Sequence, residues 1–250
     1  MATALRRPFC RRRAARYNTR RTDERNHRRP PTNVDARSDL HQNPRPGPEP
    51  AEAKKAEQVR RMFSAIHNRY DRINRLMTLG RDQAWRRAAL REVALPAQGL
   101  LLDVATGSGD VLLQAARLHL QARGVGVDFT PEMLGRARVR LRRKNLIERF
   151  PLIQADALAL PFRDGAFDAV ISAFMMRNVA NVLRALEEQR RVVRPGGRVV
   201  CLELTWPQNP VFRRLFALYF YRFVPWFGGL LSGYPQAYHY LPASVEGFFT

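Results

Sequence analysis

Residues Leu100–Asp110 read LLLDVATGSGD: three leucines and an acid, a loop in which Gly107 and Gly109 flank Ser108, and Asp110 opening the next segment. A short apolar run that meets glycines at its end is the pattern of a buried strand entering a turn. The glycines permit a tight turn and let a ligand approach the backbone closely. A dinucleotide fingerprint would want a third glycine where this chain has Leu112, so that reading fails. Asp103, standing just before the loop, argues against a pyrophosphate and for a ligand carrying positive charge. Asp103 and Asp110 bracket the turn.

Outward from this stretch, short apolar runs alternate with helical patterns. The runs are Leu100–Val104, Gly124–Val127, Pro151–Gln154, Phe167–Ser172 and Arg198–Leu204, and helices are predicted at Asp110–Gln121, Pro131–Lys144 and Val182–Val193. Such alternation indicates an α/β chain, a Rossmann-like doubly wound parallel sheet with flanking helices. Ahead of it, a charged helical stretch leads into Met62, Phe63, Ile66 and Tyr70, spaced as one helical face, and a second helix is predicted over Asp82–Val93. Parallel sheets bind ligands beyond the carboxyl ends of their strands, so the chemistry belongs in the loops that follow the runs.

Two more of those ends carry acids. The second strand closes in Gly126-Val127-Asp128-Phe129, and a carboxylate there suits the two hydroxyls of a ribose. Asp128 is also a candidate helix cap, although Thr130, directly before Pro131, fits that part better. The third ends in Gln154-Ala155-Asp156-Ala157, where an acid beside a small residue suits the edge of an adenine ring.

The segments DVATGSGD, GVDF (126–129), ADALALPF (155–162) and RVVRPGGRVV (191–200) resemble the class I S-adenosylmethionine-dependent methyltransferases. MFSAIHNRYDRIN (62–74), AFMMRNV (173–179), CLELTWP (201–207) and AYHYLPASV (237–245) narrow the resemblance to the ubiquinone/menaquinone C-methyltransferase family, over about residues 57–249. The resemblance implies methyl transfer to a ring carbon of a polyprenylated quinol, with S-adenosyl-L-methionine as cofactor. It implies a cofactor site of Asp103, Gly107, Ser108, Gly109, Asp128, Asp156 and Ala157. Ser108 stands where the family usually has Thr, and Met175-Met176 stand in place of a Gly-Leu pair. The chain ends at Thr250, short of the helix and antiparallel strand pair with which members usually finish, so the sheet is expected to lack that pair.

Methyl transfer from a sulfonium asks the protein to orient the reactants and to make the ring carbon electron-rich. No metal is required, and the five histidines show no ligand spacing. The catalytic candidates are Tyr70, with Asn74 one turn on, and Arg177 and Asn178 after the fourth strand. A guanidinium holds its proton, so Arg177 is expected to stabilise a developing phenolate while water takes the proton and Asn178 orients it. The helix carrying Tyr70 reads equally as a lid. Cys201 reads as an inert core thiol.

The 250 residues carry 43 Lys+Arg against 22 Asp+Glu, a formal charge of +21. Arg outnumbers Lys 40 to 3, which reads as a compositional bias more than a binding patch. Residues 1–50, with 13 Arg and 5 acids, are too poor in apolar residues to form a core and are expected to be a disordered extension to a methyltransferase domain at 51–250. A presequence, a nucleic-acid arm and an inert extension all remain readings of it. The absence of an aromatic stacking platform argues against nucleic acid as a partner. Other readings of the whole chain are a methyltransferase for another hydrophobic acceptor and a non-catalytic partner in quinone synthesis. From Val211 to Leu231, aromatic and apolar residues crowd a helix that Arg213, Arg214 and Arg222 interrupt. That pattern suits an anionic membrane surface or a prenyl channel. The expected location is cytoplasmic, peripheral to the inner membrane, or the mitochondrial matrix if the N-terminal segment is a presequence. A homodimer or a quinone-synthesis complex is the candidate assembly.

Overall fold

The computed structural model describes residues 2–4, 50–224 and 244–245. Its sheet has the order β1-β6-β5-β2-β3-β4. Strands β2 (Leu100–Val104), β3 (Arg123–Asp128), β4 (Leu152–Gln154), β5 (Phe167–Ala173) and β6 (Val193–Leu204) are all parallel. Each contains the core of a run read from the sequence. β2 lies between β3 and β5, so the strand order reverses there and the ligand crevice is set beyond its carboxyl end.

Alternation along the strands divides the core between two faces. Leu102, Val104 and Val170 point to one side, packing with Met176, Ala185 and Val192 under helix α5 (Val182–Val192). Leu101, Ala169 and Ile171 point to the other, against Leu90 of α2 (Arg81–Glu92) and Val111 and Ala115 of α3 (Asp110–Leu118). Helix α4 (Pro131–Arg142) follows β3, and its Leu141 joins Leu112 and Phe150 in a separate buried cluster.

The charged stretch and the apolar face ahead of the sheet form one helix, α1 (Pro50–Met77). After β6 come α6 (Pro210–Leu218) and a π-helical turn, Tyr219–Phe223. That turn packs Phe220 against Ile66, Ile73 and Met77 of α1, with Val245 in the same cluster. The antiparallel neighbour of β6 is β1 (Ala2–Ala4), which pairs Thr3 with Glu203 and comes from the segment expected to be disordered. Residues 1 and 5–49, and the end of the aromatic stretch with most of AYHYLPASV, lie outside the described residues.

Candidate functional site

The loop from β2 to α3 turns through left-handed backbone at Ala105, Gly107 and Gly109. A Cβ on Gly109 would stand 3.3 Å from that of Ala137, so glycine lets α4 close on the loop. Thr106 anchors the turn: its amide donates to Val127 O at 2.8 Å and its hydroxyl to Asp103 Oδ2 at 2.6 Å. Asp103 is fully buried and its Oδ1 has no partner. Burial pushes its carboxyl up to about 7, against the opposing pull of the Thr106 bond and of Arg86.

Asp128 is also buried, and burial again raises its pKa against the bonds it accepts. Those bonds come from the amides of Gly107 at 2.8 Å and Thr130 at 2.9 Å, one to each oxygen. Thr130 is the N-cap of α4, as read, but its side chain makes no capping bond. A carboxylate has about four acceptor sites, so Asp128 can hold the loop and still accept from a ligand. Asp156 is exposed, accepts from the Leu158 amide at 2.9 Å, and lies with Ala157 along the same cleft as Gly107 and Asp128.

That cleft opens to solvent. Apolar side chains share its lining: Val59, Phe63 and Tyr70 from α1, with Met133, Phe174 and Met175. Tyr70 and Asn178 are both in that lining. Burial raises the Tyr70 phenol, while the charges of Arg177 and Arg86 draw it back down. Asn178 Nδ2 donates to Phe174 O at 3.0 Å, fixing the turn after β5.

Four expected site residues do not line the cleft: Asp103, fully buried, and three that are engaged elsewhere. Ser108 donates its hydroxyl to Asp71 Oδ1 at 2.5 Å and accepts from Arg140 at 2.8 Å, so it joins α1 and α4 to the loop. Gly109 serves the packing on Ala137. Arg177 is buried behind the cleft wall, paired with Glu203 and 5.9 Å from the centre of the Phe174 ring. Arg86, paired with Asp82 at 2.6 Å, lies 4.9 Å from the same ring. Asp71, Asp82, Arg86 and Glu203 were not singled out from the sequence. Asp82 and Arg86 do carry a local signal, the i,i+4 spacing of an ion pair. Asp110, bracketing the loop, is pushed up by burial, but Arg86 and Arg140 outweigh this and its pKa falls. Among the described residues no cluster of His, Cys, Asp and Glu could hold a metal ion.

The ubiE/COQ5 methyltransferase family matches residues 51–250. A demethylmenaquinone methyltransferase of Thermus thermophilus is 48% identical over 187 residues, 75% of this chain and 84% of that relative. A ubiquinone/menaquinone biosynthesis C-methyltransferase UbiE of a Geobacter species is 43% identical over 197 residues, 78% of this chain and 83% of the relative. Among solved structures, the (4+2)-cyclase SpnF superposes with a TM-score of 0.54 at 21% identity, over 62% of this chain and 63% of that one. That likeness concerns the fold.

Proposed function

The chain belongs to the ubiE/COQ5 methyltransferase family and depends on S-adenosylmethionine, and from that premise we propose that it methylates a ring carbon of a polyprenylated quinol, demethylmenaquinol or the equivalent ubiquinone precursor. Relatives named for that reaction match more than four-fifths of their own length. The observation that carries the reading is the cleft itself. Its lining combines Gly107, Asp128 and Asp156 with Phe63, Tyr70, Phe174 and Met175, a mix that suits a polar cofactor beside an apolar ring.

The residues present fit the cofactor. Asp103 Oδ1 is a buried acceptor without a partner, suited to a ligand with positive charge. A Cβ on Gly107 would meet nothing within 4 Å, leaving open space for a ligand against its backbone. Asp128 keeps acceptor sites for ribose hydroxyls, and Asp156 with Ala157 presents an adenine edge with an acceptor. Bound S-adenosylmethionine supplies an electrophilic methyl group whose transfer leaves a neutral thioether.

The chain then contributes orientation and field. Phe63, Tyr70 and Phe174 hold the ring between α1 and the end of β5. Arg177 and Arg86 lie behind Phe174, and their charges oppose part of the burial that raises the Tyr70 phenol. An acceptor hydroxyl beside it would feel the same opposition, which lessens the penalty on the phenolate that the attacking carbon needs. Asn178 orients the water that takes the hydroxyl proton.

The same reading extends to the surface. Helix α6 has no buried residue, although Phe216 and Tyr219 lean on the cluster beneath it. Its outward face shows Leu215 at 61% and Leu218 at 64% exposure, with Arg214 and Arg222 also exposed. A helix apolar on both faces suits an anionic bilayer interface, from which a lipid-soluble quinol would be taken. No helix among the described residues is long and apolar enough to cross a membrane.

The deciding experiment is incubation with methyl-labelled S-adenosylmethionine and each demethylated quinol, followed by mass analysis of the lipid. Label in the quinol ring supports the reading. Label only in a different hydrophobic acceptor would assign another substrate.

A further inference from the structure

The cleft is lined both by the β2–α3 loop, through Gly107, and by helix α1, through Phe63 and Tyr70, and one α1 side chain bonds directly to both the loop and helix α4. Asp71 stands on α1 next to Tyr70. Its Oδ1 accepts from the Ser108 hydroxyl at 2.5 Å, and its Oδ2 accepts from Arg136 Nε at 2.9 Å and Arg140 Nη1 at 3.3 Å. Arg140 completes the circuit by donating to Ser108 O at 2.9 Å and, through its other nitrogen, to Asp110 Oδ1 at 2.5 Å. The Asp71 side chain is only 10% exposed, so these bonds compete little with water.

We propose that Asp71 is a positioning residue that couples the cofactor loop to helix α1, so that cofactor binding sets Tyr70 and Phe63 for the acceptor. Each end of the bond has its own task. Ser108 lies between Gly107, whose backbone faces the cleft, and Gly109, which packs on α4. A ligand that settles the Gly107 amide therefore settles the Ser108 hydroxyl one residue on. Asp71 receives that hydroxyl on the helical turn that places Tyr70 in the cleft. Away from this junction α1 is held at points that do not touch the loop, Lys55 Nζ to Val179 O at 2.7 Å and Ser64 Oγ to Glu132 at 2.7 Å. Those bonds fix the helix without reporting on the cofactor; the Ser108–Asp71 bond does report on it. A ligand shifts a second site only through a contact that differs between the two states, and this bond is such a contact.

This inference rests on the reading of the cleft as a methyl-donor site but not on the identity of the acceptor. Its test uses the full chain and S-adenosylhomocysteine, which binds without turnover, with amide hydrogen exchange as the readout. In the wild type, ligand should slow exchange both in residues 104–110 and in α1 around residues 66–74. In Asp71→Ala ligand should still slow the loop but no longer slow α1, and in Ser108→Ala, where Arg140 still joins Ser108 O to Asp71, the α1 response should be reduced. Asp71→Asn, which keeps an oxygen for Ser108, should restore most of the α1 response. In turnover, Asp71→Ala should raise KM for the acceptor by about 5-fold or more, the lower end of usual coupling factors, while the dissociation constant of S-adenosylhomocysteine moves less. Equal protection of α1 in wild type and both variants would overturn the proposal, and so would a wild type whose α1 ignores the ligand. Failure of the loop itself to respond would instead overturn the cofactor assignment.

Discussion

Glu203 holds Arg177 from two directions: Oε1 pairs with the guanidinium, and Oε2 accepts from the Arg177 backbone amide at 3.3 Å. The acid comes from β6 and the arginine from the turn after β5, so the pair fixes where the AFMMRNV segment leaves the sheet. Both side chains are buried, and a buried ion pair has value mainly through position, because its attraction largely offsets desolvation.

Removing the acid should expose this role. Glu203→Ala leaves a buried guanidinium without its carboxylate and should cost about 3–5 kcal/mol in urea unfolding. Glu203→Gln keeps shape and one acceptor, and should lower kcat by about tenfold, ~1.4 kcal/mol of barrier, with cofactor affinity nearly unchanged. An unaltered kcat in a folded Glu203→Gln variant would mean that Arg177 positions nothing used in the reaction.

The cofactor site gives a second expectation. Asp128→Ala removes both a ribose acceptor and the bond that holds the Gly107 amide. Calorimetry should show S-adenosylmethionine binding weakened by about 2–4 kcal/mol, one or two charge-assisted hydrogen bonds with partial compensation. Unchanged affinity would remove Asp128 from the site.

Much of the fold is legible in the sequence. The strand reading at Leu100–Val104 matches β2 residue for residue, because a leucine run ended by a glycine loop has few other conformations. The acids Asp103, Asp128 and Asp156 stand out by their place at or just past the ends of apolar runs, a purely local signal. The partners Asp71 and Glu203 do not, because a bond from Ser108 to Asp71 spans 37 residues and leaves no periodicity in the sequence. Ser108 itself shows the limit of a motif: its place in the loop was right, while its side chain turns to α1. The aromatic stretch after Val211 reads from the sequence as one crowded helix, and the structure separates Phe220, 4% exposed and packed on α1, from Leu215 and Leu218 on the surface.

Asp103 makes cofactor binding and stability depend on pH. Its folded pKa, about 7, lies above the ordinary value of 3.8 for its carboxyl. Below the ordinary value both states are protonated and no penalty exists. As pH rises from there through 7, the unfolded chain sheds the proton first, so the ligand-free protein loses stability, on the order of a few kcal/mol. Asp103→Asn should flatten that loss, measured by urea unfolding at pH 5 and pH 8. A cationic ligand favours the ionised form, so S-adenosylmethionine binding at pH 6 should release a proton, read as a dependence of calorimetric heat on buffer ionisation. Equal slopes for wild type and Asp103→Asn would place the titrating group elsewhere.

The last expectation concerns the outward face of α6. Phe220 is unsuited to testing it, since a polar residue there would be buried in the cluster with Ile73 and Met77. Leu215 and Leu218 are suited, because neither is buried, Leu215 adjoins Arg214, and Leu218 stands one turn from Arg222. Replacing both by Ser should leave urea unfolding within about 0.5 kcal/mol of wild type, the usual range for surface changes. Partition to vesicles containing an anionic lipid should fall by about tenfold or more, taking about 1 kcal/mol for each leucine only partly withdrawn from water at the interface. Raising salt should weaken binding of the wild type as well, through the exposed arginines, each contributing about 1 kcal/mol near an anionic surface. If the face delivers the quinol, the double variant should show a raised KM for a prenylated substrate in vesicles but not for a short-tailed one in solution. Vesicle binding equal to wild type, with the same KM for both, would leave α6 without a part in meeting the lipid.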